Sequence, residues 1–176
     1  MGVGRMKSKQ LTILNEKPDK IAHDDLCLLA GKWLRKQRYL GFVTVNNWLM
    51  YNDEKPDVIG FNKCGGGTTV IEIKVSRADF KHDRHKPFRI NEYKGMGNYR
   101  YYCCPDGLID IDELPYGWGL IIWNNGEIVK VVDAQHSKVK NRKAETYMLN
   151  YYLRFPDKFN ANLVTGKRFK PKKLDK

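Results

Sequence analysis

The stretch "KPDVIGFNKCGGGTTVIEIKVSRADF", residues 55–80, decides how the chain folds. Two runs rich in β-branched residues, DVIGFN (57–62) and TTVIEIKVS (68–76), flank the glycines at 65–67, a pattern that predicts an antiparallel hairpin. Along a strand, residues two apart share a face. Glu72 and Lys74 therefore project together, while Ile71, Ile73 and Val75 face the other way. Asp57 opens the first run, and antiparallel pairing brings its carboxylate to the end where Glu72 sits. Two acids and one base are thus expected together in an otherwise apolar setting.

Working outward, apolar residues at Ala22, Leu26, Leu29 and Trp33 recur at helical spacing, which predicts a helix over 19–38 with acids in its first turns and bases in its last. GFVTVNNWLMY (41–51) reads as a strand. After the hairpin come a short helix in RADFKHDRHK (77–86), a loop, and a strand in YRYYCC (99–104). A helical turn in DIDELP, two strands joined around Asn125-Gly126 and a helix over 142–155 complete the order. Helix, three strands, helix, three strands, helix predicts a mixed central sheet flanked by helices, in the α/β (α+β) class. The chain divides into a basic N-terminal arm (1–18), one domain (19–156) and a basic C-terminal tail (157–176).

A length of 176 residues with 41% apolar content suits one globular core. No run approaches the roughly 20 apolar residues of a membrane span, and no apolar signal stretch follows the basic N-terminus, so a soluble, intracellular protein is expected. Cys27, Cys64, Cys103 and Cys104 lack CxxC spacing, and none of the four histidines stands at a familiar metal-ligand spacing, so buried free thiols are expected. The formal charge of +12 is concentrated at the ends: residues 138–176 hold 12 Lys/Arg against Glu145, Asp157 and Asp175, and residues 1–10 add Arg5, Lys7 and Lys9. Basic ends on a neutral body suit a polyanionic partner or a merely solvated tail. No phosphate-binding G-x-x-x-x-G-K-[ST] occurs, which argues against a nucleotide cofactor.

Hard divalent cations such as Mg²⁺ take carboxylate and water oxygens. Asp57 and Glu72 are therefore candidate ligands for Mg²⁺ or Mn²⁺, with Lys74 placed to orient or activate a water and to offset charge developing at phosphorus. The plainer reading of Glu72 and Lys74 is a surface salt bridge contributing about 0–1 kcal/mol.

PDVIGF followed by VIEIKVS resembles the PD-(D/E)XK nuclease signature, with Pro56-Asp57 and Glu72-Ile73-Lys74 at its positions. HDDLCLLAGKWL, EIKVSRADFKHDRHKPFR, GMGNYRYYCCPDGLI and ELPYGWGLI are similar, in order, to phage and bacterial proteins related to the MmcB-like DNA-repair family, over about residues 20–123. The resemblance implies a restriction-endonuclease-like core, metal-dependent hydrolysis of DNA and a cytoplasmic bacterial or phage setting, with a nuclease-like fold that binds nucleic acid without catalysis as the alternative. It also implies an acid on the first helix that completes the metal site. Asp24 and Asp25 both qualify, and Asp25 is preferred because it falls in line with Leu29 and Trp33. Ser76, Arg77, Lys81, Arg84, Lys86, Arg89 and Arg100 are candidate contacts to the DNA backbone. Ser76 is also placed to cap the helix that follows it, and Asp79 and Asp83 to pair with nearby bases. The oligomeric state stays open, a homodimer included.

Overall fold

The computed structural model describes residues 21–37, 40–45, 54–63 and 67–164. Six strands form one sheet in the order β1 to β6: β1 (Leu40–Val45), β2 (Val58–Asn62), β3 (Thr68–Ile73), β4 (Tyr99–Pro105), β5 (Gly119–Asn124) and β6 (Glu127–Val132). The pairs β1/β2, β2/β3 and β5/β6 are antiparallel, whereas β3/β4 and β4/β5 are parallel. The expected mixed α/β sheet is thus present. Parallel neighbours need crossovers. The β3–β4 crossover contains α2 (Arg77–Asp83) and α3 (Pro87–Ile90), and the β4–β5 crossover contains a 3₁₀ turn at Ile111–Glu113.

Strand alternation divides the core between two faces. Ile71, Ile73, Cys103 and Ile121 pack with Leu26, Cys27, Ala30 and Leu34 of α1 (His23–Arg35). On the opposite face, Ile59 and Val70 meet Ala144 and Met148 of α4 (Arg142–Arg154), while Tyr102 and Leu120 meet Phe80 of α2 and Trp118. Each such aliphatic side chain contributes roughly 1.5–3 kcal/mol on leaving water. Cys27, Cys103 and Cys104 are buried and free, as expected, and Cys64 lies outside the described residues.

The β5–β6 hairpin turns on Asn125 (φ 49°) and Gly126 (φ 85°), the left-handed pair that a tight two-residue turn requires. The expected strand 41–51 is described only as far as Val45. The tail expected from residue 157 is corrected at its start. Pro156 opens a further helix, α5 (Pro156–Asn162), Phe159 packs edge-on against Phe42 and Tyr152, and Val164 is buried with its N–H donating to the Val43 carbonyl at 2.8 Å. Pro at the first helical position favours that restart.

Helix α1 approaches the sheet through Gly31, where a Cβ would lie 2.4 Å from Val45 Cγ1 and 2.9 Å from Val164 Cγ2. Gly→Ala within a helix ordinarily stabilises by about 1 kcal/mol. Here overpacking against a stiff valine outweighs that gain, and Gly31→Ala is expected to lower unfolding free energy in urea by about 1–3 kcal/mol. Equal or higher stability of the variant would contradict this packing.

Candidate active site

The β2/β3 register pairs Val58 with Ile71, and one further step along it sets Asp57 opposite Glu72. Asp57 is fixed there by its Oδ2, which accepts from the Ile73 N–H at 2.8 Å. Lys74 lies just past β3, its N–H donating to the Cys103 carbonyl at 2.8 Å, so it still follows the strand's alternation. Glu72 and Lys74 therefore share the sheet face opposite α1, as the hairpin pattern predicts, and Asp57 lies at the adjoining end of the hairpin, in contact with His23 of α1.

Glu72 and Lys74 do not form the surface salt bridge of the plainer reading. Both are buried, and each has a different partner. Lys74 Nζ lies 3.3 Å from Asp83 Oδ1 and 3.5 Å from Asp79 Oδ1. Glu72 Oε1 lies 2.8 Å from a terminal nitrogen of Arg89, whose side chain is only 3% exposed. Arg89 also binds Asp83 Oδ2 at 2.7 Å and Glu54 Oε1 at 3.0 Å, and its guanidinium stacks 4.9 Å from the Trp118 ring centre. Tyr102 donates to Asp83 at 2.8 Å, and Lys86 pairs with the same carboxylate at 2.8 Å.

This cluster is deficient in positive charge. Glu54, Asp57, Glu72, Asp79 and Asp83 face Lys74, Lys86 and Arg89, with His23 beside Asp57 as a fourth base. The short contact between Glu72 Oε1 and Arg89 lacks hydrogen-bond alignment, so both buried atoms stay without a hydrogen-bond partner. Burial pushes the Glu72 carboxyl up to about 8, against the opposing pull of Arg89. Asp83 moves the other way: burial alone would raise it, but Arg89, Lys74 and Lys86 hold it well below the usual carboxylate range. For Lys74, burial acts to lower the ammonium, yet Glu72, Asp83 and Asp79 outweigh burial and the net shift is upward. Lys74 therefore acts as a fixed cation that can orient a water, and is poorly suited to accept a proton.

The acid expected on the first helix is not where its stripe was drawn. Asp24 and Asp25 are exposed, because the buried stripe of α1 runs through Leu26, Cys27, Ala30 and Leu34, with Leu29 and Trp33 only half-buried. The α1 side chain that reaches the site is His23, with Nε2 3.5 Å from Asp57 Oδ1. The hydrogen bond to Asp57, followed by contact with Cys27, pushes its imidazole up to about 11. One helical turn also brings His23, Asp24 and Cys27 within 4.8 Å of one another, a grouping able to hold a metal ion. The i, i+4 spacing of His23 and Cys27 is the signal in the sequence for this grouping.

The expected backbone contacts are sorted by their partners. Ser76 caps α2, its Oγ accepting from the Asp79 N–H at 3.2 Å. Arg77 forks onto Glu113 at 2.5 and 2.6 Å, and Lys86 and Arg89 belong to the buried cluster. Arg100 is corrected from a surface contact to a buried staple, donating to the carbonyls of Glu92, Gly95, Met96 and Gly97. Lys81 and Arg84 are exposed and make no ion pair among the described residues.

A carboxyl whose folded pKa is raised stabilises the fold fully below its unfolded value, near 4.5, and that contribution is lost as pH rises through about 8. Glu72→Gln removes this titration while keeping the shape. Between pH 5 and 8 the variant's unfolding free energy is expected to fall less steeply with pH than the parent's. Parallel curves from urea melts would show that Glu72 does not titrate in that window.

No known family model and no curated protein matches this chain. Among solved structures, it is similar to a protein of unknown function from Silicibacter pomeroyi, at 24% identity and a TM-score of 0.54, over 78% of this chain and 94% of that one. At that identity the likeness shows the α/β fold alone.

Proposed function

We propose that the protein is a divalent-metal-dependent nuclease built on the PD-(D/E)XK plan, hydrolysing phosphodiester bonds in DNA at Asp57, Glu72 and Lys74. The observation that carries this reading is the placement of two carboxylates opposite each other across β2/β3, beside a buried ammonium, in a cluster with more acid than base. A Mg²⁺ or Mn²⁺ ion suits that donor set. Glu72 Oε1 is a buried oxygen without a hydrogen bond, and its raised carboxyl retains a proton where a hard cation would do better. Asp57 and Glu72 would hold the ion. When bound, it supplies a Lewis acid for the phosphoryl oxygen and lowers the pKa of a coordinated water.

The remaining work falls to this chain's own side chains. The Lys74 ammonium, held in place by Asp79 and Asp83, orients the attacking water and balances charge that grows on the phosphoryl oxygens. His23 holds Asp57 from the α1 side. Tyr102 and Lys86 fix Asp83 and so keep Lys74 from turning away. One observation favours a second reading, a catalytically silent nucleic-acid-binding protein: the Arg89 guanidinium already occupies the position beside Glu72, and both side chains are buried.

Cleavage of plasmid and single-stranded DNA with Mn²⁺ separates the two readings. Glu72→Ala and Lys74→Ala are each expected to slow cleavage about a hundredfold or more, read at a temperature where circular dichroism shows each variant folded. If the parent binds DNA but cleaves no faster than either variant, the silent reading stands.

A further inference from the structure

Two cavities, of about 760 Å³ and 590 Å³, adjoin the loop between β6 and α4 and share Asn98, His136 and Lys138 in their walls. The first continues past Lys140 to Arg142, and the second reaches Arg89, Tyr116 and Trp118. We propose that together they form one groove for a single-stranded polynucleotide. The phosphates run along Lys138 and Arg142, and a base stacks on Tyr116 at the end nearer Glu72. That the ligand is a nucleic acid rests on the nuclease reading above. The choice of single strand rests on the groove itself.

Charge comes first. His136, Lys138 and Arg142 are exposed, and Lys138 and Arg142 make no ion pair among the described residues. Lys140 is already committed, at 2.6 Å from Glu145 and 3.1 Å from Thr68, so it shapes the wall without adding a free cation. Free cations spaced along a loop track a phosphate backbone without reading sequence.

A stacking platform comes second. Tyr116 is 93% exposed and lines the cavity that Arg89 also lines. Gly117, at φ 76°, makes the turn between that exposed ring and the buried Trp118. Aromatic side chains beside a cationic track bind unpaired bases, whose faces are free. A duplex keeps those faces stacked inside itself. Cavities of this size take small organic groups of a nucleotide's dimensions, and a double helix is far wider.

The loop is also ordered before any ligand arrives. Ser137 N–H donates to the Asn98 carbonyl and Asn98 Nδ2 to the Ser137 carbonyl, both at 2.8 Å. Gln135 N–H reaches the Gly117 carbonyl at 2.9 Å, and Asn141 N–H reaches the Gly95 carbonyl at 2.8 Å. Arg100 braces the neighbouring segment from beneath, which gives this buried arginine a task in the groove. Little ordering entropy is then left to be lost on binding.

The test is fluorescence anisotropy on the full chain in EDTA, which keeps hydrolysis out, using labelled oligo-dT, oligo-U and a duplex of equal length across a salt series. Both single strands, or one of them, are expected to bind at least about tenfold more tightly than duplex, and the dT and U arms tell DNA from RNA. Tyr116→Ala is expected to weaken single-strand binding about 5- to 100-fold. Lys138→Ala is expected to lower the salt slope by about 0.7, as loss of one phosphate contact does. Both side chains are exposed, so melting temperatures should match the parent's. Duplex bound as tightly as single strand, or both variants binding as the parent does, would overturn the proposal. Normal groove binding without Mn²⁺-dependent cleavage would reject the nuclease reading and leave the groove; cleavage with both variants unchanged would do the reverse.

Discussion

Arg89 is the side chain on which the arrangement depends. Its guanidinium meets Glu72 on β3, Asp83 at the end of α2 and Glu54 ahead of β2, and it packs against Phe88 and Trp118. Glu54 in turn accepts from the Met96 N–H at 2.5 Å, so the segment leading into β4 is fixed to the same centre. The crossover between the two parallel strands β3 and β4 is therefore organised by charge. Phe80 and Phe88 supply its apolar anchors. Such a centre is costly to bury and gives little net stability against an apolar substitute, but removing one member would strand the others.

The same economy of charge links fold to chemistry. Within the cluster the carboxylates outnumber Lys74, Lys86 and Arg89, and burial pushes the Glu72 carboxyl up against the pull of Arg89. Under the proposed function, a bound divalent cation would supply the positive charge that this cluster lacks. Arg89 contacts Glu72 and also lines the cavity beside Tyr116. α3 and its flanks are held by the buried Phe88, by Arg89, and by hydrogen bonds from Arg100 and Asn141 to the carbonyls of Glu92, Lys94 and Gly95.

Much of this was legible in the residues. The β-branched runs on either side of the glycines determine the hairpin, and strand alternation alone puts Glu72 and Lys74 on one face. The Asn-Gly pair fixed the β5–β6 turn by its backbone freedom. The first-helix neighbour of Asp57 was less legible, because Leu29 and Trp33 suggest a stripe one position away from the buried one, and nothing in that pattern marks His23. Arg89 and Arg100 looked like surface cations beside other bases, and nothing local marks an arginine that will be buried by partners 17 and 35 residues away in sequence, as Glu72 and Glu54 are from Arg89. Long-range pairing of this kind is a property of the fold, which is why charge clustering along the chain overstated the exposed basic surface.

The proposed function turns on whether Asp57 and Glu72 bind a divalent cation at the place where Arg89 contacts Glu72. Anomalous diffraction from crystals soaked in Mn²⁺ tests it most directly. The account predicts a manganese peak between the two carboxylates, with the Arg89 guanidinium drawn off Glu72 Oε1. No manganese at those side chains, with Arg89 still seated on Glu72, would contradict it.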